Sequence, residues 1–499
     1  MKIEDFIKKP FSNDCHEYGC SLLDISPKPE YATGEVVLAS TLRRIGFSES
    51  GVSEKKVYSN GTNLEKNLRK QKRPNMQEGA SYVGFDLWDS IVHEAIKSPK
   101  KPQQSESRFL QISPLVPDAS LYSSTSRVRG NSWNPGSLIE KIVILGSEND
   151  AAANKNWKEF FNALSVGEND DVWARFLQME FTAWRSEKNI KWTEPSKLKA
   201  SQFSNKFLSK ESQIPAQQFV SDLLKIIELK DYLTRRQWIS MVESILRVGS
   251  ATHVLWLCRA NEKCFELIYN LFEGGEVKKD YNLNEIFSGG AGFWRYGQLA
   301  YNTINDLASG FMRSRLGINL IILHLKEAGC KVSDKCLSDE KSFAQFLKQI
   351  ESFRGKISFK DFRESFQKAL EINKKEIGKS KVVEFVRSVL GQRQTNEHGL
   401  ESYDQGFYLG KKGDYRSSPW IVSMGPVAVI SIAYACTSLK EGPATIDDFC
   451  NHLKNYGIVV DVEEVGRSGI GETLRNLGLV LDSPDAEGGM IIINPFNRS

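Results

Sequence analysis

The sequence has almost no net charge. Its 499 residues include 66 lysine and arginine residues against 62 aspartate and glutamate residues, which leaves a net charge of +4. Any affinity for nucleic acid must therefore come from local basic surfaces. The composition, 40% hydrophobic and 26% charged, is typical of a globular protein and excludes collagen-like, mucin-like and wholly disordered chains. The length predicts about three domains.

Cysteine is also scarce. Eight cysteines in a chain of this length are too few for a disulfide scaffold. The chain opens with Met1-Lys2-Ile3-Glu4-Asp5-Phe6, and no apolar segment typical of a secretory signal peptide follows. We therefore expect reduced thiols and a cytoplasmic location.

A hydrophobic run long enough to span a membrane is missing. Residues 417–439 contain no charged residue, but prolines, a glycine and serines interrupt them. Only residues 427–436 are continuously apolar apart from one serine, and a transmembrane helix needs about 20 apolar residues. We predict instead a buried helix that begins near Pro426, because proline is favoured in the first helical turn.

Complete motifs for nucleotide binding are absent. Gly146-Ser147-Glu148-Asn149-Asp150 follows an apolar run, but the second glycine and the Ser/Thr of a phosphate-binding loop are missing. Gly289-Gly290-Ala291-Gly292 lacks the clear strand and acidic residue of a dinucleotide-binding fingerprint, and we interpret it as a hinge or helix break. Arg295, Arg313 and Arg315 follow it and are a weak candidate for an anion site.

Candidates for metal or catalytic chemistry are few. Cys15, His16 and Cys20 form the only tight Cys/His group, and no second ligand pair at zinc spacing follows. Pro117-Asp118 with Glu140-Lys141 resembles a PD-(D/E)xK nuclease site only faintly, because the glutamate and lysine are adjacent. We predict no catalytic residue, cofactor or metal ligand, although a catalytic triad can be assembled from distant positions.

Composition and periodicity divide the chain into three regions. Residues 1–136 are mixed, and their last part, from residue 98, is rich in proline and serine and typical of a linker. In residues 137–400 apolar residues recur at three- and four-residue spacing, which predicts an irregular helical array without a fixed-period repeat. Residues 401–499 change character and form a third region. The predicted fold is therefore mainly α.

Local signals mark helix positions within this plan. Residues 34–40 fit either a strand or the start of a helix, because the apolar run is too short for its periodicity to decide. Thr234 fits the first position of a capping box, and residues 251–271 predict another long helix. His253 and His324 lie within apolar helical runs, where a hydrogen-bonded core histidine is expected.

The C-terminal region contains three helix signals followed by two short apolar runs. The first helix begins near Pro426, the second has Thr445 as its N-cap and ends at Gly457, and the third passes through Leu474. The two apolar runs flank a turn and predict a hairpin. Three helices followed by a hairpin resemble a winged-helix module, which here covers about residues 425–496.

Through this organisation the chain is similar to accessory subunits of bacterial multi-gene anti-phage and restriction systems, which are large helical proteins with a terminal winged helix. The resemblance rests on the order and length of the elements around residues 425–496. It implies a role in DNA-linked antiviral defence. It also implies a protein partner from the same system, such as an ATPase or a nuclease.

The winged-helix-like region is acidic. Residues 401–499 contain 8 lysine and arginine residues and 13 aspartate and glutamate residues, a balance of −5. Helix-turn-helix readers place their recognition helix in the DNA major groove, but in the third helix segment Arg467 and Arg475 are accompanied by glutamates at 463, 464 and 472. We therefore interpret this region first as a protein-docking module.

Positive charge is concentrated elsewhere. Residues 41–110 contain 13 basic and 8 acidic residues, and residues 341–387 contain 12 and 6, which gives balances of +5 and +6. In the second stretch phenylalanines occupy the apolar side, so that one polar helical face could follow a phosphate backbone. A solvated, lysine-rich face is the alternative interpretation. The predicted nucleic-acid-binding residues are Lys66, Arg69, Lys70, Lys72, Arg73, Lys360, Arg363, Lys368, Lys374 and Lys375.

These observations lead to one hypothesis and two alternatives. The hypothesis is a non-enzymatic scaffold or accessory subunit of a multi-protein complex, without cofactor or membrane span. It would bind the DNA backbone, independently of sequence, through basic helical faces and dock a protein through its C-terminal region. The first alternative is a nuclease or another enzyme with a nonstandard active site. The second is a protein-interaction adaptor that does not contact nucleic acid.

Overall fold

The described part of the chain is mainly α-helical, as predicted. The structure, a computed structural model, describes residues 2–10, 15–19, 21, 23–24, 33–48, 113–122, 135–183, 190–198, 214–276, 292–338, 340–375, 378–391, 405–413, 417–461, 465, 469–481 and 490–496. The α-helices in these ranges are α1 (Ile3–Lys8), α2 (Gly34–Gly46), α3 (Pro135–Gly146), α4 (Asp150–Leu164), α5 (Val172–Ala183), α6 (Pro215–Glu228), α7 (Arg235–Glu273), α8 (Ala300–Glu327), α9 (Glu340–Phe353), α10 (Phe359–Lys375), α11 (Gly378–Val389), α12 (Pro426–Ser438), α13 (Ile446–Asn455) and α14 (Gly469–Asn476).

Short β-strands accompany the helices. Within the described residues they are β1 (Trp294–Arg295), β2 (Leu409–Lys411), β3 (Trp420–Val422), β4 (Ala444–Thr445), β5 (Ile458–Val459), β6 (Val480–Leu481) and β7 (Ile491–Ile492). β1 pairs in parallel with β5, β2 and β3 form an antiparallel hairpin, and the third sheet has the antiparallel order β4-β7-β6.

The 39-residue helix α7 occupies the centre of the molecule and packs most extensively against α8. Its start confirms the predicted capping box, since the Thr234 hydroxyl accepts a hydrogen bond from the Gln237 N–H and the Gln237 side chain accepts one from the Thr234 N–H. The helix then continues without a break, so residues 251–271 are its second half and not a separate helix. Gly249 lies inside this helix. A Cβ at this position would be 2.2 Å from the Phe219 ring of α6, so a glycine permits the close contact of the two helices.

The N-terminal region contributes a buried helix and a buried turn to the same core. The sequence of residues 34–40 fits either a strand or the start of a helix. In the structure these residues begin α2, which packs against α3 and α7. Pro117–Tyr122 forms a short 3-10 helix against α2, and the Arg43 Nε donates a 2.8 Å hydrogen bond to the Ser120 carbonyl. This part of the predicted linker-like stretch therefore belongs to the core, because Val116, Ala119 and Leu121 bury their side chains there.

The named elements in the described residues of the C-terminal unit, 426–496, follow the predicted order of three helices and a hairpin, to which β4 adds a third strand. Pro426 opens α12, and Thr445 caps α13 through the Asp448 N–H, both as predicted. Gly457 ends the turn after α13 in the left-handed region, with φ +82°, also as predicted. It lies against Phe293, which brings β1 next to β5.

A buried polar network joins the C-terminal unit to the helical body. Asp222 on α6 is fully buried, and its carboxylate accepts 2.8 Å hydrogen bonds from the His452 Nε2 and the Tyr456 hydroxyl and one of 2.7 Å from Gln218. Burial alone lowers the pKa of His452, but the charge and hydrogen bond of Asp222 prevail and raise it to about 10. The imidazolium and the carboxylate therefore form a charged pair that fixes α13 on α6.

Buried apolar side chains form one cluster that extends from Phe6 to Ile492 and includes residues of all three predicted regions. The described helices include none that is long and apolar enough to cross a membrane.

Candidate nucleic-acid interface

Helix α10 turns its aromatic residues towards the core and its charged residues outward. Phe362 and Phe366 are buried, and the Phe362 ring lies edge-on to Phe272 of α7 with the ring centres 5.0 Å apart. Phe359 packs beside them at the edge of the same cluster. Because these rings occupy one side of the helix, the charged residues between them can only face solvent.

Three of the predicted binding residues lie on this outer side. Lys360, Arg363 and Lys368 are exposed. Arg363 is also engaged within the protein, since its Nη2 lies 2.7 Å from the Glu273 Oε1 and its guanidinium carbon 4.5 Å from the centre of the Phe359 ring. Acidic residues that are also exposed lie among them: Asp361, Glu364 and Glu371. The surface of α10 is therefore mixed in charge.

Helix α9 and the turn after it, which precede α10 in the chain, also carry exposed basic side chains. The exposed basic side chains of the two helices and of the turn between them are what we call the basic face: Lys341, Lys348, Lys356, Lys360, Arg363 and Lys368. Among the described side chains of α9, Glu351 is an exposed carboxylate.

The remaining predicted binding residues stay predictions. Lys374 and Lys375 lie in the last turn of α10, and their side chains are outside the described part. The segment with Lys66, Arg69, Lys70, Lys72 and Arg73 also lies outside the described residues.

A second surface, which sequence reasoning missed, combines aromatic rings with cations. The guanidinium carbon of Arg387 lies 5.3 Å from the ring centre of Tyr301, and the Lys411 Nζ lies 5.7 Å from that of Trp420. Tyr301 is 52% exposed and Leu299, two residues before it, 51%. We call these five residues the aromatic surface.

Backbone pairing explains how the parts of the aromatic surface meet. Lys411 and Trp420 are directly opposite each other in the β2–β3 hairpin. An antiparallel bridge between Leu299 and Ile421 then joins this hairpin to the start of α8, where Tyr301 lies. Arg387 comes from α11, which packs against α8. The members are separated by up to 121 positions in the chain (299 to 420), so no local motif could have revealed them.

The residues with a faint nuclease resemblance each contact groups outside the resemblance. Asp118 accepts a hydrogen bond from the Gln178 side chain, and Glu140 forms an ion pair with Arg44 at 2.5 Å. The Lys141 Nζ donates to the Asp24 carbonyl at 2.6 Å. Burial lowers the pKa of Lys141 to about 8, but Asp118 and Glu140 are engaged with other partners.

The candidate metal and anion residues are likewise separate. The His16 Nε2 lies 2.8 Å from the Asp24 Oδ1, and Cys20 lies outside the described residues. Within the described ranges no three His, Cys, Asp or Glu side chains are grouped so that they could hold a metal ion. Arg313 lies over the Phe265 ring on the exposed side of α8, whereas Arg315 is buried beside Asp24, so the proposed arginine anion site does not form.

The two glycine motifs are explained by packing where they are described. A Cβ on Gly146 would lie 2.1 Å from the Ala216 carbonyl, and one on Gly292 would lie 2.0 Å from the Val459 side chain. Gly292 therefore permits close approach to the C-terminal unit, and the interpretation of residues 289–292 as a hinge or helix break stays a prediction. Residues 289–291 lie outside the described part.

The two core histidines differ from each other. The His324 Nε2 lies 3.1 Å from the Ser365 hydroxyl, as expected for a hydrogen-bonded core histidine. His253 is fully buried against Trp256, and its ring nitrogens find no hydrogen-bond partner among the residues that the structure describes. For His253 the expectation was therefore wrong in the described part. Burial lowers its pKa to about 3, which keeps the ring neutral.

Comparison of the sequence with protein-family models and with curated proteins gives no match.

Proposed function

We propose that the chain is a non-enzymatic scaffold that binds the DNA backbone through its basic face. The observation that carries the proposal is that all six basic side chains of this face are exposed, while the phenylalanines of the same helices pack inward. Cations on a helical surface neutralise phosphates whatever the base sequence is.

The mixed charge of the basic face limits the expected affinity. Four exposed carboxylates lie among its cations, and Arg363 is already paired with Glu273. We therefore expect weak binding that is strongest at low salt, with the logarithm of the affinity falling by about 0.9 per decade of salt for each neutralised phosphate.

The C-terminal unit has a different role in this proposal. It has the element order of a winged helix, but its third helix α14 exposes both Glu472 and Arg475, and its region is net acidic. Leu481 and Ile491 are directly paired across strands and are 58% and 37% exposed. An acidic region with an exposed apolar pair suits a protein partner better than DNA. A partner ATPase or nuclease of an antiviral defence system fits this role.

The proposal is tested by measuring binding of the full chain to double-stranded DNA across a salt series without divalent metal. The variant Lys360→Glu/Lys368→Glu should weaken binding and flatten the salt slope, because two cations become anions on the basic face. Arg363 is left unchanged in this variant, because it also contacts Glu273 within the protein.

The matched control reverses the same charge elsewhere. Lys155 and Lys158 are exposed on α4, and Lys155→Glu/Lys158→Glu changes the net charge equally. If both double variants lose affinity to the same extent, only the overall charge matters and the basic face is not the site. If the unmodified chain does not bind DNA even at low salt, the proposed function is wrong.

A further inference from the structure

The aromatic surface differs from the basic face in its local charge. The described backbone segments that contain β1, β2 and β3 carry three basic residues, Arg295, Lys411 and Lys412, and no acidic residue. The segments are residues 292–301, 405–413 and 417–425. Glu384 on α11, one turn before Arg387, is the nearest acidic position along that helix. These strand segments therefore contain fewer acidic residues than α10, while Asp306, five residues after Tyr301 on α8, is an exposed carboxylate.

Each ring of the aromatic surface has a cation next to it. Tyr301 stays 52% exposed although the Arg387 guanidinium lies over its ring. Trp420 is half-buried beneath the Lys411 ammonium group. Among the described residues the other large exposed aromatic side chains are Trp173 and Tyr232, whereas the phenylalanines on α10 pack inward. An exposed ring backed by a cation offers a flat face to a second ring and positive charge to a phosphate next to it.

From this combination we infer that the aromatic surface binds single-stranded nucleic acid by stacking unpaired bases on Tyr301 and Trp420. Every base has a flat face, so such stacking tolerates any sequence, and Arg387 and Lys411 supply charge for the backbone. A duplex cannot use these rings in the same way, because its bases are already stacked and paired. The inference rests on the proposed nucleic-acid binding and adds the class of ligand that this second surface takes.

The test compares three labelled ligands of equal length by fluorescence anisotropy with the full chain at low salt: an oligothymidylate, an oligouridylate and a DNA duplex. Tyr301→Ala should lower the affinity for a single strand about 5- to 100-fold, the effect of losing one stacked base, and leave duplex binding nearly unchanged. Tyr301→Phe keeps the ring and should keep most of the affinity. Tyr232→Ala is the control, because Tyr232 is also exposed, at 63%, but lies outside the surface.

Trp420 provides the second variant. Because Trp420 also packs against the core, Trp420→Phe and Trp420→Leu are compared, and thermal unfolding checks that both variants fold. The Phe variant should retain more single-strand affinity than the Leu variant. A preference for the DNA or the RNA strand would identify the natural source of the unpaired bases.

The outcomes separate this inference from the proposed function. If single strands bind but Tyr301→Ala and Trp420→Leu bind them as well as the unmodified chain does, the stacking inference is wrong and the basic face remains. An equal loss for single strand and duplex would also overturn it, because the surface would then contact only the backbone. If the unmodified chain binds none of the three ligands, the proposed function fails and the inference fails with it.

Discussion

The Nε2 of His452 and the Oδ2 of Asp222 lie 2.8 Å apart in the interior, although the two residues are 230 positions apart in the chain. This contact joins α13 of the C-terminal unit to α6 of the helical body. Tyr456 donates to the same carboxylate oxygen, so the negative charge is shared by an imidazolium and a hydroxyl. The position of the C-terminal unit therefore depends on a buried charge pair as well as on apolar packing.

The charge pair predicts a specific pH dependence of stability. The pKa of His452 is raised in the folded state to about 10, above the 6.5 of an unperturbed histidine. Its contribution is therefore fully present below about pH 6.5 and is lost as the pH rises through 10. The difference in the free energy of unfolding between the unmodified chain and His452→Gln should be largest at pH 6 and should shrink towards pH 10. Denaturant unfolding at several pH values in this range measures it.

Tyr456→Phe is the matched control for this experiment. It removes one hydrogen bond to Asp222 but keeps the imidazolium and the carboxylate, so it should lower stability by about 1 kcal/mol with little dependence on pH. Buried Lys141, whose own pKa is lowered to about 8, is present in every variant, and its contribution cancels in the differences. A His452→Gln effect of the same size at pH 6 and pH 10 would contradict the charged pair.

Gly249 allows a prediction in which two effects oppose each other. Replacing a glycine inside a helix by alanine normally stabilises the helix by about 1 kcal/mol. In α7, however, the new methyl group would lie 2.2 Å from the Phe219 ring, and overpacking a core costs about 1–3 kcal/mol. We expect the clash to prevail, so that Gly249→Ala lowers the midpoint of chemical unfolding.

The control for Gly249 is another glycine with open space. A Cβ on Gly355 would meet nothing within 4 Å, so Gly355→Ala should be neutral or slightly stabilising. If Gly249→Ala is as well tolerated as Gly355→Ala, α6 and α7 are not in the close contact described above.

Local signals in the sequence were sufficient to predict those features of the fold that one short segment determines by itself. The capping residues Thr234 and Thr445 and the proline at 426 marked helix starts correctly, because each acts on the backbone next to it. The stripe of phenylalanines in α10 identified its buried side for the same reason. Residues 142–145, although largely β-branched, are helical in α3, where burial against α2 and α6 outweighs local preference.

The features that depend on tertiary packing could not be predicted. The Asp222–His452 pair and the Arg387–Tyr301 pair join segments far apart in the chain, and no spacing in the sequence encodes such contacts. A glycine that breaks a helix and one that admits a neighbouring ring also look alike in the sequence, so the contact between Gly249 and Phe219 could not be predicted either. The sequence also did not show whether the cations of α10 are surrounded by solvent alone or by exposed carboxylates, because that depends on which side chains the fold exposes.

The register of the C-terminal sheet predicts which of its residues are available to a partner. Leu481 is opposite Ile491 on the outer side, and Val480 is opposite Ile492, which is 3% exposed, on the inner side. Because neighbouring residues in a strand point to opposite faces, a shift by one residue would exchange these roles. Leu481→Thr/Ile491→Thr should therefore change the free energy of unfolding by less than about 1 kcal/mol, since threonine also favours strands.

The single change Ile492→Thr is the counterpart and should destabilise the protein by about 2 kcal/mol or more, because it removes buried apolar surface and buries a hydroxyl. Both variants are measured by denaturant unfolding. If the outer double variant is the more destabilising of the two, the register is wrong. If the order is as predicted, the double variant keeps the fold while it removes the exposed apolar pair, and a loss of partner binding in it can be attributed to that pair.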